Sequence, residues 1–393
     1  MILGIVCEFD PLHNGHARLL AHARALGADT VVCAMSGNFT QRGSFAALSK
    51  TARAEMAVRC GADLVLELPT PWAMAPAETF AQGGVQLLHA AGADTLLFGS
   101  ECGAAAALRR LAEALDSPAF AAALSTAPDT GATFAARRQR AAAALLDNST
   151  AALLESPNNT LAVEYIRALR RTGSAMTPVT LRRTGAAHDG APEGDTASAS
   201  HLRQLLRQGA VDAACAYMPP AAAAVLRREL AAGRVTDETL CQRAVLSRVR
   251  TMTAADWRGY DPGGEGLCNR MYQASRTACT VEELLVAAKT RRYPLSRLRR
   301  MVLSAYLYLP PAPPRLPYLR VLAATAAGRS HLRALRDAGA PVLTKPADAA
   351  ALGDEAAALL ALESRCTDLY VLAHPDLSQA APGQDYRTVP LML

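Results

Sequence analysis

The sequence predicts a doubly wound α/β domain with a parallel sheet over residues 1–209, followed by a mainly helical part over residues 210–393. Two observations carry this. Apolar, β-rich runs alternate with stretches of helical periodicity through the first hundred or so residues, and three of those helices close on a glycine, Gly27, Gly61 and Gly92, just before the next apolar run. Short links of this kind are those of βαβ crossovers. The chain of 393 residues is also long enough for more than one core.

The elements follow in order. ILGIVCEF is a continuous run suited to a strand buried on both faces, and ARLLAHARALG is the helix after it. TVVCAMSG, ADLVLELP and ADTLLFGSE are further strands, with helices KTARAEMAVRCG and ETFAQGGVQLLHAAG between them. From Cys102 the sequence turns Ala-rich, with helical stretches at ALRRLAEALD, ARRQRAAAALL and LAVEYIRALRR. MTPVTLRR reads as a strand, GAAHDGAPEGDTA as a loop, and SASHLRQLLRQG as a helix with Ser198 as N-cap. Beyond MPP the pattern is helical to about Leu309; LPPAPPRLP is a connector, and the last part mixes short strands with helices.

Composition narrows the class. The net charge of +6 permits a nucleic-acid or phosphate-bearing partner without requiring one. Nine cysteines, Cys7, Cys33, Cys60, Cys102, Cys215, Cys241, Cys268, Cys279 and Cys366, show no CxxC pair and no zinc spacing, as expected of reduced cytosolic thiols. No basic leader precedes the first strand and no run of about eighteen apolar residues occurs, so a cytoplasmic protein without membrane spans is expected.

Chemistry concentrates in DPLHNGH, residues 10–16, where the first strand ends and the first helix begins. Ligands of open α/β sheets bind at the carboxyl ends of strands, and a helix N-terminus there favours phosphate. His13 and His16 can donate to oxygens that gain charge as a phosphorus–oxygen bond breaks, and Gly15 permits close approach. Solvated loop histidines are the plain alternative. HNGH resembles the HxGH signature of the nucleotidyltransferase and class I aminoacyl-tRNA synthetase superfamily, which holds the phosphates of ATP; TASASHLR, residues 196–203, resembles its second signature, with a helix cap as the plain alternative.

A closer resemblance extends over most of the chain. GIVCEFDPLHNGH, SGNFTQRG, SKTARAEMAVRCGADLVLELP, FGSE, SPNNTLAVEYIRAL and KTRRYPLSRLRRMVL together resemble the bacterial tRNA(Met) cytidine acetate ligase family. The resemblance implies a Rossmann-like nucleotidyltransferase domain of the HxGH type and a C-terminal domain that binds tRNA. It implies activation of acetate by ATP, with Mg²⁺, to acetyl-adenylate, and transfer of the acetyl group to N4 of the wobble cytidine of elongator tRNA(Met). Two other readings stand beside it: adenylylation of a small phosphate-bearing metabolite, and a non-catalytic RNA-binding protein.

By the same resemblance His13, His16, Ser198 and Arg203 are catalytic. The nucleotide would lie along Val6, Cys7, Glu8, Phe9, Asp10, Pro11, Leu12, His13, Asn14, Gly15, His16, Ala17, Arg18 and Leu19, with Gly99, Asn159, Arg182 or Arg183, and Ser200. Gly99 could only make a turn, the Asn158–Asn159 pair could cap a helix, and one of the two arginines must point away if the segment is extended. Glu8, in an otherwise apolar run, suggests a structural or ligand-orienting hydrogen bond. Asp10 stands where the family usually has Asn, so it either helps hold Mg²⁺ or alters ATP affinity, and TGAAHD at 184–189 is less regular than in the family. For the second substrate, Asn38, Gln41 and Arg42 border the crevice; Lys50 and Arg53, one turn apart, face phosphate or solvent. Lys289, Arg291, Arg292, Arg297, Arg299 and Arg300, with Tyr293 among them, form a cluster within about three helical turns suited to RNA backbone and base stacking, or to a solvated or domain-contact face.

Overall fold

The computed structural model describes residues 1–126, 133–183, 192–260 and 266–393; the loop at 184–189 lies outside them. Its eight strands are β1 (Ile2–Cys7), β2 (Thr30–Ser36), β3 (Leu64–Leu68), β4 (Thr95–Ser100), β5 (Thr177–Arg182), β6 (Leu319–Ala324), β7 (Val342–Leu343) and β8 (Leu391–Met392). They form one sheet of order β5-β4-β1-β2-β3-β6-β7, with β8 also on β6. From β5 to β3 every neighbouring pair is parallel.

Alternation along the strands fills two cores. Val31, Cys33 and Met35 face one layer, which includes Leu20, Ala23 and Met56 of the helices Asn14–Ala25 and Lys50–Arg59; Val32 and Ala34 face the other, with Leu88 and Val163. The second layer is seated closely. A Cβ on Gly84, in the helix Ala77–Ala90, would lie 2.7 Å from Val6, and one on Gly4 of β1 would lie 2.9 Å from Leu88.

The expected strands and helices are present, with differences that matter for the site. The first strand stops at Cys7, because Phe9 takes a positive φ of 48° and turns the chain, so Glu8 lies past the strand end. Residues 210–393 are mainly helical, but they also return β6, β7 and β8 to the sheet, which makes the sheet mostly rather than wholly parallel. β6 runs antiparallel to β3 and covers an edge that would otherwise expose unpaired backbone. A third core, of Trp257, Met271, Leu298, Val302 and Tyr370, takes in Phe39 from SGNFTQRG and Phe45 just beyond it, and binds the helices to the segment that follows β2.

Candidate active site

The chain builds β1, β2 and β3 to one side, then returns to place β4 on the other side of β1, so the carboxyl ends of β1 and β4 border the crevice where α/β sheets bind ligands. His13 is the N-cap of the helix Asn14–Ala25: its Nδ1 accepts from Gly15 N at 3.1 Å, while His13 N donates to Nδ1 of His16 at 3.4 Å. The two rings stack with centroids 3.7 Å apart, and Phe9 meets His16 edge-on at 5.0 Å. Because both Nδ1 atoms accept, the neutral tautomer of each ring carries its proton on Nε2; this assignment follows from the hydrogen-bond network. Burial, then the charges of Arg183 and Arg203, lower the His13 pKa to about 3. Burial, His13 and Arg183 hold His16 well below its ordinary value. The pair therefore presents two uncharged Nε2–H donors at a helix N-terminus. Gly15 is required by this geometry itself, since a Cβ there would lie 2.9 Å from the His13 ring.

The second signature closes on the first. Ser198 caps the helix Ala199–Arg207, accepting from His201 N at 3.2 Å. One turn on, Arg203 donates to the Asp10 backbone oxygen at 2.6 Å and stands 3.3 Å from the Asp10 carboxylate; it also reaches Ser200 Oγ at 3.2 Å. Asp10 is buried and its other oxygen accepts from Ala47 N at 2.6 Å. Its charge is thus paired and its carboxylate anchors the loop, an arrangement unlike a free metal ligand. Asn14 donates to the Asp195 backbone at 2.8 Å, and Arg18 pairs with the Asp195 carboxylate at 2.6 Å.

On the β4 side, the β-strand parity of Arg182 and Arg183 is settled by two glycines. A Cβ on Gly99 would lie 3.3 Å from Arg183, and one on Gly103 would lie 2.5 Å from Arg182. Arg183, beside Gly99, is the one whose charge bears on both imidazoles. Asn159 is buried; its Oδ1 accepts from Cys102 N at 3.1 Å. Glu101 was not anticipated as a site residue, yet its carboxylate accepts from Asn158 N, Asn158 Nδ2 and Asn159 N at 3.2, 2.7 and 2.7 Å, capping the helix Pro157–Thr172. An acid at the end of β4, ahead of a helix that opens on two asparagines, was the available signal.

Comparison with known proteins establishes the family. The family model for HIGH Nucleotidyl Transferase matches residues 1–385. The tRNA(Met) cytidine acetate ligase of Syntrophotalea carbinolica is 38% identical over 354 residues, 85% of this chain and 82% of that protein. That of Acetivibrio thermocellus is 34% identical over 409 residues, covering 98% of each. The chain belongs to this family. The crystal structure of Thermotoga maritima TmcAL bound with alpha-thio ATP superposes with a TM-score of 0.92 at 29% identity, covering 100% of this chain and 99% of that one; the apo form gives 0.94.

Along the stretch expected to meet the nucleotide, residues 6–19, the side chains divide. Cys7, Phe9, Pro11 and Leu12 are buried, and Val6 packs on the Ala77–Ala90 helix, so these residues offer a nucleotide only their backbone; Ala17, Arg18 and Leu19 lie at least partly exposed along the first helix. Glu8 is partly exposed, its carboxylate held by Gln41 N at 2.7 Å and Ser36 Oγ at 3.4 Å, and burial raises its pKa.

Several expected substrate contacts are corrected. Arg53 is fully buried and faces neither phosphate nor solvent: it donates to the carbonyls of Leu48 at 2.9 Å, Glu8 at 2.5 Å, Ser36 at 3.2 Å and Gly37, tying the ends of β1 and β2 together. Lys50 is likewise buried, 2.7 Å from Glu67 and 2.9 Å from Asp385. Asn38 is buried between Lys50 N and Thr367 Oγ1. Gln41 is a strut: its backbone oxygen accepts from Arg300 at 3.1 Å, and its side chain donates to Ala75 O. Arg42 is exposed.

The basic cluster is also reshaped. The helix begins at Leu295, so Lys289, Arg291 and Arg292 precede it rather than share its face. Tyr293 is buried in the helical core beneath Arg297, which rules out base stacking there, and Arg300 is occupied by Gln41. Lys289, Arg291 and Arg299 are exposed. Among the described residues no group of three or more His, Cys, Asp or Glu side chains is placed to hold a metal ion.

The neutral histidine pair has a consequence for stability. Its protons are taken up by the unfolded chain at an ordinary pKa of 6.5 but by the folded chain only near 3 for His13. The stabilisation is therefore complete above about 6.5 and is lost as pH falls from there toward about 3. Thermal melts should show wild type losing stability relative to a His13→Asn, His16→Gln variant, which has no imidazole to protonate at these positions, as pH is lowered through this window.

Proposed function

We propose that the protein is an ATP-dependent acetate ligase that forms acetyl-adenylate and transfers the acetyl group to N4 of the wobble cytidine of elongator tRNA(Met). The observation that carries the reading is the stacked, uncharged His13–His16 pair, with two Nε2–H donors at a helix N-terminus beside Arg183. An acetate oxygen attacks the α-phosphorus in line and pyrophosphate leaves with the bonding electrons. The amine then attacks the acetyl carbonyl carbon, loses a proton, and AMP departs.

The chain's task in the first step is positioning and charge neutralisation. His13 and His16 donate to phosphate oxygens, and a neutral donor strengthens its bond as negative charge grows without carrying a buried cation beforehand. Arg183 supplies the positive charge from the β4 side. Asn159 fixes the β4 turn against the nucleotide, and Ser198, Ser200 and Arg203 close the opposite wall. Mg²⁺ would arrive with the triphosphate, which supplies hard oxygen ligands for it. For the tRNA, the exposed Arg42, Lys289, Arg291 and Arg299 offer charge to the RNA backbone. No helix among the described residues is long and apolar enough to cross a membrane, and a tRNA substrate places the work in the cytoplasm.

Acetate-dependent exchange of labelled pyrophosphate into ATP tests the first step without tRNA. Exchange that requires acetate is expected. Exchange indifferent to acetate would reject it as the activated acid.

A further inference from the structure

Among the described non-glycine residues only two have positive φ: Phe9, in the active-site loop, and Tyr308, at φ 54°. Bulky side chains pay a steric cost in this region, which is ordinarily left to glycine after a helix. Tyr308 lies just beyond the helix Leu295–Tyr306, between Leu307 and Leu309, both buried, and its own side chain is turned outward at 53% exposure. The turn is clamped from two sides. Arg365 donates to the carbonyls of Leu307 at 3.4 Å and Tyr308 at 3.1 Å, and Arg248 donates to Ala305 O at 3.1 Å while its guanidinium sits 4.3 Å from the centre of the Tyr308 ring.

Three arginine–tyrosine stacks occur among the described residues, and in the other two the ring is buried (Tyr293) or half-buried (Tyr272). Only Tyr308 presents an exposed ring. Among the described residues neither Arg248 nor Arg365 lies within ion-pair distance of a carboxylate, though Asp256 is near enough to Arg248 to feel its charge; the ring has one cation over its face, and the exposed Arg365 holds the backbone of the same turn. A flat, rigidly held π-face beside positive charge matches an unpaired base followed by its phosphate. We propose that Tyr308, backed by Arg248, is a stacking platform for an unpaired nucleobase of the RNA substrate, with Arg365 facing the adjoining phosphate. This rests on the function proposed above and places a second RNA contact beyond the basic residues around position 290.

The test measures equilibrium binding of wild type, Tyr308→Phe and Tyr308→Gly to two probes: an elongator tRNA(Met) transcript, and a single-stranded RNA oligonucleotide carrying 2-aminopurine. The Phe variant keeps the ring and should bind within about twofold of wild type, with the 2-aminopurine quenched. The Gly variant should bind both probes about tenfold more weakly, without quenching. Its melting temperature should be no lower than wild type, because glycine is at ease at this φ. Wild type that binds the oligonucleotide but not the transcript would reject the tRNA assignment and support the platform. Undiminished RNA binding by the Gly variant, or no binding of either probe by wild type, would overturn the proposal; a protein partner lost by a variant that still binds RNA would reassign the surface.

Discussion

A His13→Asn, His16→Ala variant should lose acetate-dependent pyrophosphate exchange by about three orders of magnitude or more while remaining folded. Removing one pre-aligned donor to a developing oxyanion typically costs about 10²–10³ in rate. Here two donors go together, and they act as a unit: His13 N donates to Nδ1 of His16, Nδ1 of His13 accepts from Gly15 N, and the rings stack at 3.7 Å. Asparagine at position 13 retains a good helix cap, so the helix Asn14–Ala25 should persist. Single substitutions should each fall nearly as far as the pair, because either loss disorders the partner. Activity within tenfold of wild type would show that the histidines cap a helix and do no more.

Lys50→Met should produce the largest stability loss, about 3–5 kcal/mol, read from urea unfolding. Lys50, Arg320, Glu67, Glu363 and Asp385 are all buried in one cluster, with Arg320 3.0 Å from Glu67 and 3.1 Å from Asp385. Burial and the neighbouring Glu67 raise the pKa of Glu363, whose carboxyl oxygens accept from Thr70 N and Oγ1, both at 2.8 Å. Lys50 and Arg320 are the cations of the cluster, each within 3.1 Å of Glu67 and Asp385. Removing Lys50 strands one negative charge away from water, and Asp385 loses a tether that holds the segment around Gln384–Arg387 to the sheet. Limited proteolysis should cut sooner near that segment. An unchanged urea midpoint would mean that the cluster contributes nothing net.

How much of this was legible depends on the range of the interaction. The strand–helix alternation and the HNGH turn are local patterns, and each survives in the structure because its partners lie within a few residues: Gly15, His16 and the helix they open. Lys50 and Arg53 read as a pair facing phosphate or solvent because their partners are distant. Asp385 is 335 positions from Lys50, and the carbonyls that engage Arg53 are assembled only when β1 and β2 align. Tyr293 reads as available for stacking because much of the core that buries it, such as Trp257, Met271 and Tyr370, comes from distant parts of the chain. The parity of Arg182 and Arg183 was unreadable for a related reason: the notches at Gly99 and Gly103 exist only once β4 and β5 pair. Asp10, an acid where the sequence reading expects an amide, carries its own compensation, Arg203, from 193 positions along the chain.

The most direct measurement combines purified protein with ATP, Mg²⁺, labelled acetate and an unmodified elongator tRNA(Met) transcript, followed by nucleoside mass analysis. The expected product is N4-acetylcytidine that requires both ATP and acetate. Pyrophosphate release with no acetylcytidine, or a dinucleotide product from a small phosphate-bearing acceptor, would contradict it.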